Sequence, residues 1–385
     1  MSVDTEITAQ PGGPTTSRRR EDWRLTWHGI RTVTQLELRQ RVRSTRWKVA
    51  LIVWFVVVGG ITGLTTGALH ALQSSGDDEP LGALIFGIVV FFVLFLGLLV
   101  SPTLSAASIN GDRNAGTLAT LQATLLSPAE IVIGKLLAAW LAALAFLAAS
   151  VPFIVWALAA GGVAVLSLVT TLLMLAVVLL VVCAIGLGFS ALVAKTSGSA
   201  VLTYLTVGGL SVVTPVLFGL STPLVTTQEE VRVWTLPASA WEETNPSPSL
   251  CRWETETMSR VHTERTWWLL AVNPFVIVAD SQPLGDREEI ERAGATSPLG
   301  LIQLGVRYAR TGPSAEEDWC PYYGGFVDGS DTRPDSPVER VEPSDQAVWP
   351  WGLGVLLVVA GGAVVVAVNR LRIPTRTLPQ GTRVA

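Results

Sequence analysis

The sequence predicts an all-α polytopic membrane protein. It has six transmembrane helices, a cytoplasmic amphipathic N-terminal helix and a long external loop between helices 5 and 6. Three observations carry this expectation. The first is six stretches with no Asp, Glu, Lys, Arg or His: Val49–Leu69, Leu81–Val100, Leu136–Ala160, Val163–Val193, Ala200–Leu220 and Trp351–Val368. Each comes close to or exceeds the ~20 helical residues that cross a hydrocarbon core of ~30 Å. The second is composition: 49% of residues are apolar, 15% are charged and the mean hydropathy is +0.47. These values lie outside the range of disordered chains and ordinary soluble domains. The third is charge asymmetry. The tail to Lys48 holds ten Lys/Arg against five acids, and Asn369–Ala385 holds four Arg and no acid, whereas Ser221–Val348 holds ten Arg and 21 Asp/Glu. Basic flanks mark the cytoplasmic side, so both termini are placed there, and six crossings agree with that parity.

The chain divides accordingly into a cytoplasmic tail with its helix (1–48), helices 1–5 (49–220) with a cytoplasmic loop at 101–135, an external segment (221–348), and helix 6 with a basic tail (349–385). The first apolar run begins too far in, and runs too long, for a cleavable signal peptide. Three Lys against 24 Arg fit a GC-rich bacterial genome, and hence a bacterial plasma membrane.

Residues Met1–Thr16 read as a disordered tail. From Asp22 to Lys48 the pattern is helical, with Trp23, Trp27, Ile30, Leu38 and Val42 on one side, interrupted by Val33 and Leu36, and Arg31, Arg39, Arg43 and Arg46 mostly around the rest. A basic helix with Trp on its apolar side suits the inner membrane surface; a protein partner for that side is the alternative. In the first span Gly59, Gly63 and Gly67 recur every four residues, a spacing that admits another helix closely, within the chain or across a dimer. Pro152 and Pro215 are expected to bend their helices. Gly161-Gly162 leaves almost no loop between the third and fourth spans. The loop near Gln73–Pro80 is acidic through Asp77, Asp78 and Glu79.

In the external segment Glu229–Leu236 reads as a strand. Trp267–Ala279 is apolar but too short to span, and Asn273-Pro274 breaks it into a re-entrant or interfacial helix pair, with Trp267 and Trp268 at headgroup level. Ser297 is placed to cap a helix running to Arg310, with Pro298 in its first turn. Glu288, Glu289 and Glu291 read as a solvated face, and Tyr322–Asp345 as irregular. Cys183 reads as a small apolar residue of the fourth span. Cys251 and Cys320 share the external face, where a disulfide persists if they pair.

The loop between the second and third spans holds the densest signals. Asn114–Gly116 is a turn, and Thr117–Leu126 is a short helix with Leu118, Leu121 and Leu125 on one face, for which lipid, the rest of this chain and a cytoplasmic partner are all open. Ser127-Pro128-Ala129-Glu130 is a capping box that starts the third span below the membrane, with Gly134-Lys135 in its first turns. His28, His70 and His262 have no metal-ligand spacing, no nucleophile–base set is visible, and charge-free spans leave no intramembrane relay for ion-driven transport. The basic tails are explained by topology and anionic lipid, without nucleic acid.

In this loop the chain resembles the type-2 permeases of ATP-binding-cassette transporters. Their pattern E-R-x-x-G-T-L-x-x-L, followed by P and G-K, stands here as Asp112-Arg113, Gly116-Thr117-Leu118, Leu121, Pro128 and Gly134-Lys135. The usual glutamate is Asp112, and the external segment is longer than in minimal members. The resemblance implies an exporter subunit whose short helix sits in a cleft of a separate ATPase subunit, with Asp112, Arg113, Gly116, Thr117, Leu118, Leu121, Leu125 and Lys135 at the interface, and Lys195 in the other cytoplasmic loop as a second contact. It implies a second permease subunit, identical or paralogous, and surrounding lipid. ATP and Mg belong to the ATPase: the one Gly-Lys here is followed by Leu136 and preceded by Ala129 where a phosphate-binding loop needs its first glycine. On this reading the chain has no catalytic residue or cofactor of its own. A membrane-anchored sensor or assembly factor using its external segment is the alternative that the loop disfavours, and the charge-free spans disfavour a secondary carrier.

The topology is checked by thiol labelling in intact cells. After reduction, Cys251 or Cys320 should react with a membrane-impermeant reagent; reaction only after permeabilisation would reverse the assignment of sides.

Overall fold

The computed structural model describes residues 22–72, 81–122, 126–237, 250–283, 297–320, 337–338 and 342–372. The readings of the first sixteen residues, the acidic 73–80 loop, Leu125, the Glu288–Glu291 run, most of 322–345 and the tail beyond 372 lie outside these residues.

Among the described residues six helices are long and apolar enough to cross a membrane. Helix α1 (Trp27–Arg43) precedes the first span, α2 (Thr45–Leu72). The second span, α3 (Gly82–Ser105), continues into two short helices, α4 (Asn110–Asn114) and α5 (Thr117–Gln122). The third and fourth spans are α6 (Pro128–Ala159) and α7 (Val165–Leu192). The fifth is broken: α8 (Thr196–Gly208) passes through one π-turn at Gly209–Val213 into α9 (Thr214–Ser221). The wide turn lies directly before Pro215, whose ring and missing N–H disturb the preceding turn. The sixth span is α13 (Trp349–Arg370).

The fourth span is the centre of the bundle. It is apolar on all sides, as a helix surrounded by protein or lipid must be. Of its most apolar window 56% is buried, against 17% in the first span and 11% in the fifth. Small residues let its neighbours approach: a methyl group on Gly186 would lie 2.2 Å from Ser105 Oγ of the second span, and one on Gly188 would lie 2.8 Å from Ala363 Cβ of the sixth. The third and fourth spans are joined by Gly161-Gly162, both at positive φ (91° and 75°), a conformation that other residues rarely adopt.

The glycine triplet of the first span divides. A methyl on Gly59 would lie 2.9 Å from Phe153 Cζ, so this glycine serves packing within the chain; among the described residues a methyl on Gly63 or Gly67 would meet nothing within 4 Å outside its own turn of helix. The face they carry points away from the protomer. The N-terminal helix also departs from expectation. Its apolar side does not simply rest on a membrane surface: Ile30 and Val33 are buried, while Trp27 is 73% exposed. Val33, which interrupts the predicted stripe, is the better buried of the two because it fits over Gly134 of the third span, where a methyl would lie 2.6 Å from its Cβ.

At the opposite end of the bundle, between the fifth and sixth spans, β1 (Thr226–Thr235) pairs antiparallel with β2 (Arg252–Val261) in the register Trp234↔Trp253, and parallel with β3 (Glu316–Asp318). The sheet order is β2-β1-β3. Its first strand matches the predicted one; β2 and β3 carry too many charges to stand out as strands. Cys251 and Cys320 form a disulfide across 69 residues, with Cα atoms 6.1 Å apart. A link of that span is worth about 4 kcal/mol in a simple chain-entropy account. Helices α10 (Trp268–Ala271) and α11 (Pro274–Asp280) form the expected broken pair, with Asn273 accepting from the Phe275 N–H. Helix α12 (Pro298–Thr311) is capped by Ser297.

One buried ion pair ties these pieces to the sixth span. Arg307 of α12 donates to Asp280 Oδ1 at 2.6 Å, and Asp280 Oδ2 accepts from the N–H groups of Val348 (2.6 Å) and Trp349 (2.9 Å) at the start of α13. A carboxylate at a helix N-terminus satisfies orphan donors and opposes the helix dipole.

At the edge of the sheet His262 lies between two acids. Its Nδ1 is 2.7 Å from Glu264 Oε1, and its Nε2 is 2.8 Å from Glu229 Oε1 and from Thr227 Oγ1. Hydrogen bonds to Glu264 and then Glu229 raise the His262 pKa above its ordinary 6.5. Hydrogen bonds from Thr227 and His262 lower that of Glu229 below its ordinary 4.5. The imidazolium therefore stabilises the fold fully below pH 6.5 and ceases to as pH rises through the raised folded value. The Glu229 contribution is complete above pH 4.5 and is lost as pH falls through the lowered value. The melting-temperature difference between wild type and His262→Gln should thus be largest between these limits and shrink at alkaline pH. A difference constant up to pH 9 would reject the cluster as a protonated one.

Candidate functional site at the loop between the second and third spans

The third span begins in a shared cap. Ser127 Oγ accepts from the Glu130 N–H at 3.1 Å and Glu130 Oε2 accepts from the Ser127 N–H at 2.9 Å, completing the predicted capping box. Glu130 Oε1 also accepts from the Thr26 N–H at 2.8 Å and from the Thr26 hydroxyl, while Ser127 Oγ donates to the Arg24 carbonyl at 2.6 Å. One buried carboxylate therefore serves the starts of both α1 and α6. Arg41, at the far end of α1, donates to the Leu104 carbonyl at 2.7 Å, placing a cation at the C-terminus of the second span.

Between these ties lies an ion triad. Lys135 is 1% exposed, and its Nζ pairs with both Glu37 of α1 and Asp112 of α4. The sequence reading placed Lys135 on an outer interface; the structure places it inside, where it binds the N-terminal helix and the loop to the third span. A buried ammonium is costly unless paired, and here two carboxylates pair with it. Glu37 was not singled out from the sequence, although it is the one acid between Trp27 and Lys48.

The other residues of the motif sort by direction. Arg113, Gly116 and Thr117 are exposed, with Gly116 at φ +73° in the turn between α4 and α5. The Thr117 hydroxyl donates to the Asp112 carbonyl at 3.3 Å. Leu118 is 6% exposed and packs with Ile109, Ile131, Leu187 and Leu371, and Leu121 lies half-buried against the same cluster. The leucine face of α5 is thus turned onto the protein's own helix ends, one of the three surfaces that the sequence leaves open to it. Lys195 is exposed beside the start of the fifth span.

A second feature went unread in the sequence. Asn110 is fully buried, its Nδ2 donating to Ser199 Oγ (2.7 Å) and to the carbonyls of Val193 and Lys195 (3.3 Å each). Its Oδ1 accepts from Ser190 Oγ at 3.1 Å. The loop after the second span is thereby joined to the loop before the fifth.

Higher in the bundle an apolar cavity of about 680 Å³ runs between the second and fifth spans, beneath α10–α12. Phe91, Phe95, Leu99, Val207 and Phe218 line it, with Tyr204, Ser211 and Asn273 as its polar groups. Asn273 Nδ2 donates to the Ser211 carbonyl at 3.0 Å, a group of the π-turn.

Six apolar helices around a charge-free middle, with buried ion pairs at both ends and a short loop helix beneath one of them, define a polytopic membrane protein. Residues 31–232 match the model of the ABC-2 family transporter proteins, and the chain belongs to that family. It is the membrane component of an ABC transporter, a class that works with an ABC ATPase. No curated protein matches the chain.

Replacing Lys135 by Met should leave Glu37 and Asp112 without their cation. We expect a loss of about 3–5 kcal/mol, read as a lower melting temperature in detergent, with partial recovery in Lys135→Met/Glu37→Gln. An unchanged melting temperature in the single variant would show that the triad adds nothing to the fold.

Proposed function

We propose that this chain is the transmembrane subunit of an ATP-driven exporter, with the α1 face in the cytoplasm. The ATPase docks on the loop between the second and third spans. The exposed side chains of that loop, Arg113 and Thr117, form the contact with Gly116 at its turn, and Lys195 adds a smaller one. Leu118 and Leu121 hold the short helix to the permease instead of entering the ATPase, and Asp112 with Lys135 fixes the loop at the correct height. ATP-driven closure of the ATPases moves these loops and alters the packing of the spans. A second permease subunit covers the faces that one protomer leaves open, on the first span at Gly63 and Gly67 and on the fifth span. The cavity between the second and fifth spans then becomes part of an enclosed pathway. Its lining suits apolar or amphipathic cargo.

The observation that supports this reading most directly is the loop. A short helix is held beneath the bundle by a buried ion triad, with a guanidinium directed outward where a carboxylate of a partner can meet it. Arg113→Glu should insert normally in the membrane and lower recovery of the ATPase subunit with the tagged permease by about tenfold, a change of roughly 1.4 kcal/mol. Vanadate-sensitive ATP hydrolysis in the purified fraction should fall in parallel. Undiminished complex and hydrolysis would remove the docking assignment.

A further inference from the structure

We propose that Asn110 is the positioning residue that carries movement of the docking loop to the fifth span. The inference rests on the reading of the loop as the ATPase contact, and adds where the movement goes.

The route follows from the bonds. The loop meets the third span through Lys135, but the third span is clamped on two sides, by α1 through Glu130 and by the bundle through its buried alanine face. The fifth span is the least buried of the six and the one with a break in its middle. Its first turn is tied to the loop by a single polar cluster. Asn110 donates to Ser199 Oγ at 2.7 Å, and Ser199 Oγ donates onward to the Ala106 carbonyl at 2.6 Å. The N–H groups of Ile109 and Asn110 both point at Ser190 Oγ, at 3.0 and 3.2 Å. All three side chains are buried to 0% exposure. In such a setting an unmade hydrogen bond is costly, so the cluster moves as one body. One α-helical stretch, α8, then separates Ser199 from the cavity wall at Tyr204 and Val207, and the π-turn at Gly209–Val213 follows. A rigid strap, a lightly packed helix and a weak turn in series direct a displacement of the loop into the cavity wall.

The cysteine content suits the test. Cys183 is buried and Cys251 is bonded to Cys320, so an introduced thiol is the reporter. Ala115→Cys reports on the loop and Leu205→Cys, 66% exposed in the wild type, reports on the fifth span. The permease is purified with its ATPase subunit in lipid, and the rate of reaction with N-ethylmaleimide is measured with and without ATP plus orthovanadate. In the otherwise wild-type complex we expect both sites to change rate. In Asn110→Ala, the Ala115→Cys response should persist and the Leu205→Cys response should fall by about tenfold, within the range of allosteric couplings. Ser199→Ala removes the strap on the other side with less disturbance of the loop, and decides the matter if Asn110→Ala does not assemble. Persistence of the full Leu205→Cys response in Ser199→Ala, and in Asn110→Ala where it assembles, would overturn the relay while leaving the docking assignment intact. Failure of Ala115→Cys to respond in the otherwise wild-type complex would overturn both.

Discussion

Hydrocarbon does not solvate charge, and the arrangement of this protein follows from that constraint. The six spans are cleared of ionisable side chains through their apolar centres, so the ions that the fold uses lie at helix ends. There they act as joints. Lys135 connects three segments at one end, and Asp280 connects three at the other. Between these levels packing is by apolar surface and small residues, such as Gly186 and Gly188 on the central fourth span. The bundle is therefore uniform along its middle and specific at its two ends.

This division explains what was legible in the sequence. Features governed by neighbours in the chain were readable: the six apolar stretches, the capping box at Ser127, the break at Asn273-Pro274 and the cap at Ser297. Periodicity also showed that Leu118 and Leu121 share a face. It could not show which way the face turns, because that depends on Ile109, Leu187 and Leu371, which arrive from three other parts of the chain. The same holds for Val33, an interruption in an amphipathic pattern until Gly134 is placed opposite it. Lys135 and Glu37 are 98 positions apart, and no local rule pairs them. Asn110 carries no charge and closes a stretch of mixed small and polar residues, so no local pattern marks it as the centre of a cluster.

The unequal burial of the spans has its own meaning within an ABC transporter. The fourth span is the most buried of the six and packs against the second, third and sixth. The first and fifth spans have faces with little of their own chain against them, and the fifth is interrupted by a π-turn whose carbonyl at Ser211 is taken by Asn273. That bond is the counterpart, at the break in the middle of the fifth span, of the Asn110 cluster at its lower end. Both use an asparagine amide to meet backbone carbonyls at an interruption of the helix: Val193 lies just past the end of the fourth span, and Ser211 stands four residues before Pro215, which has no N–H to give it.

The Asp280 cap bears on how the chain is made. Ribosomes deliver residue 280 well before Val348 and Trp349, and the Arg307 that pairs with it also comes first. In the finished fold one oxygen of that carboxylate is engaged by Arg307 and the other by the first amides of the terminal helix. The segment that links the fifth and sixth helices is thus more than a tether. It supplies the carboxylate that satisfies the first amides of the terminal helix, so the start of that helix depends on residues from an earlier part of the chain.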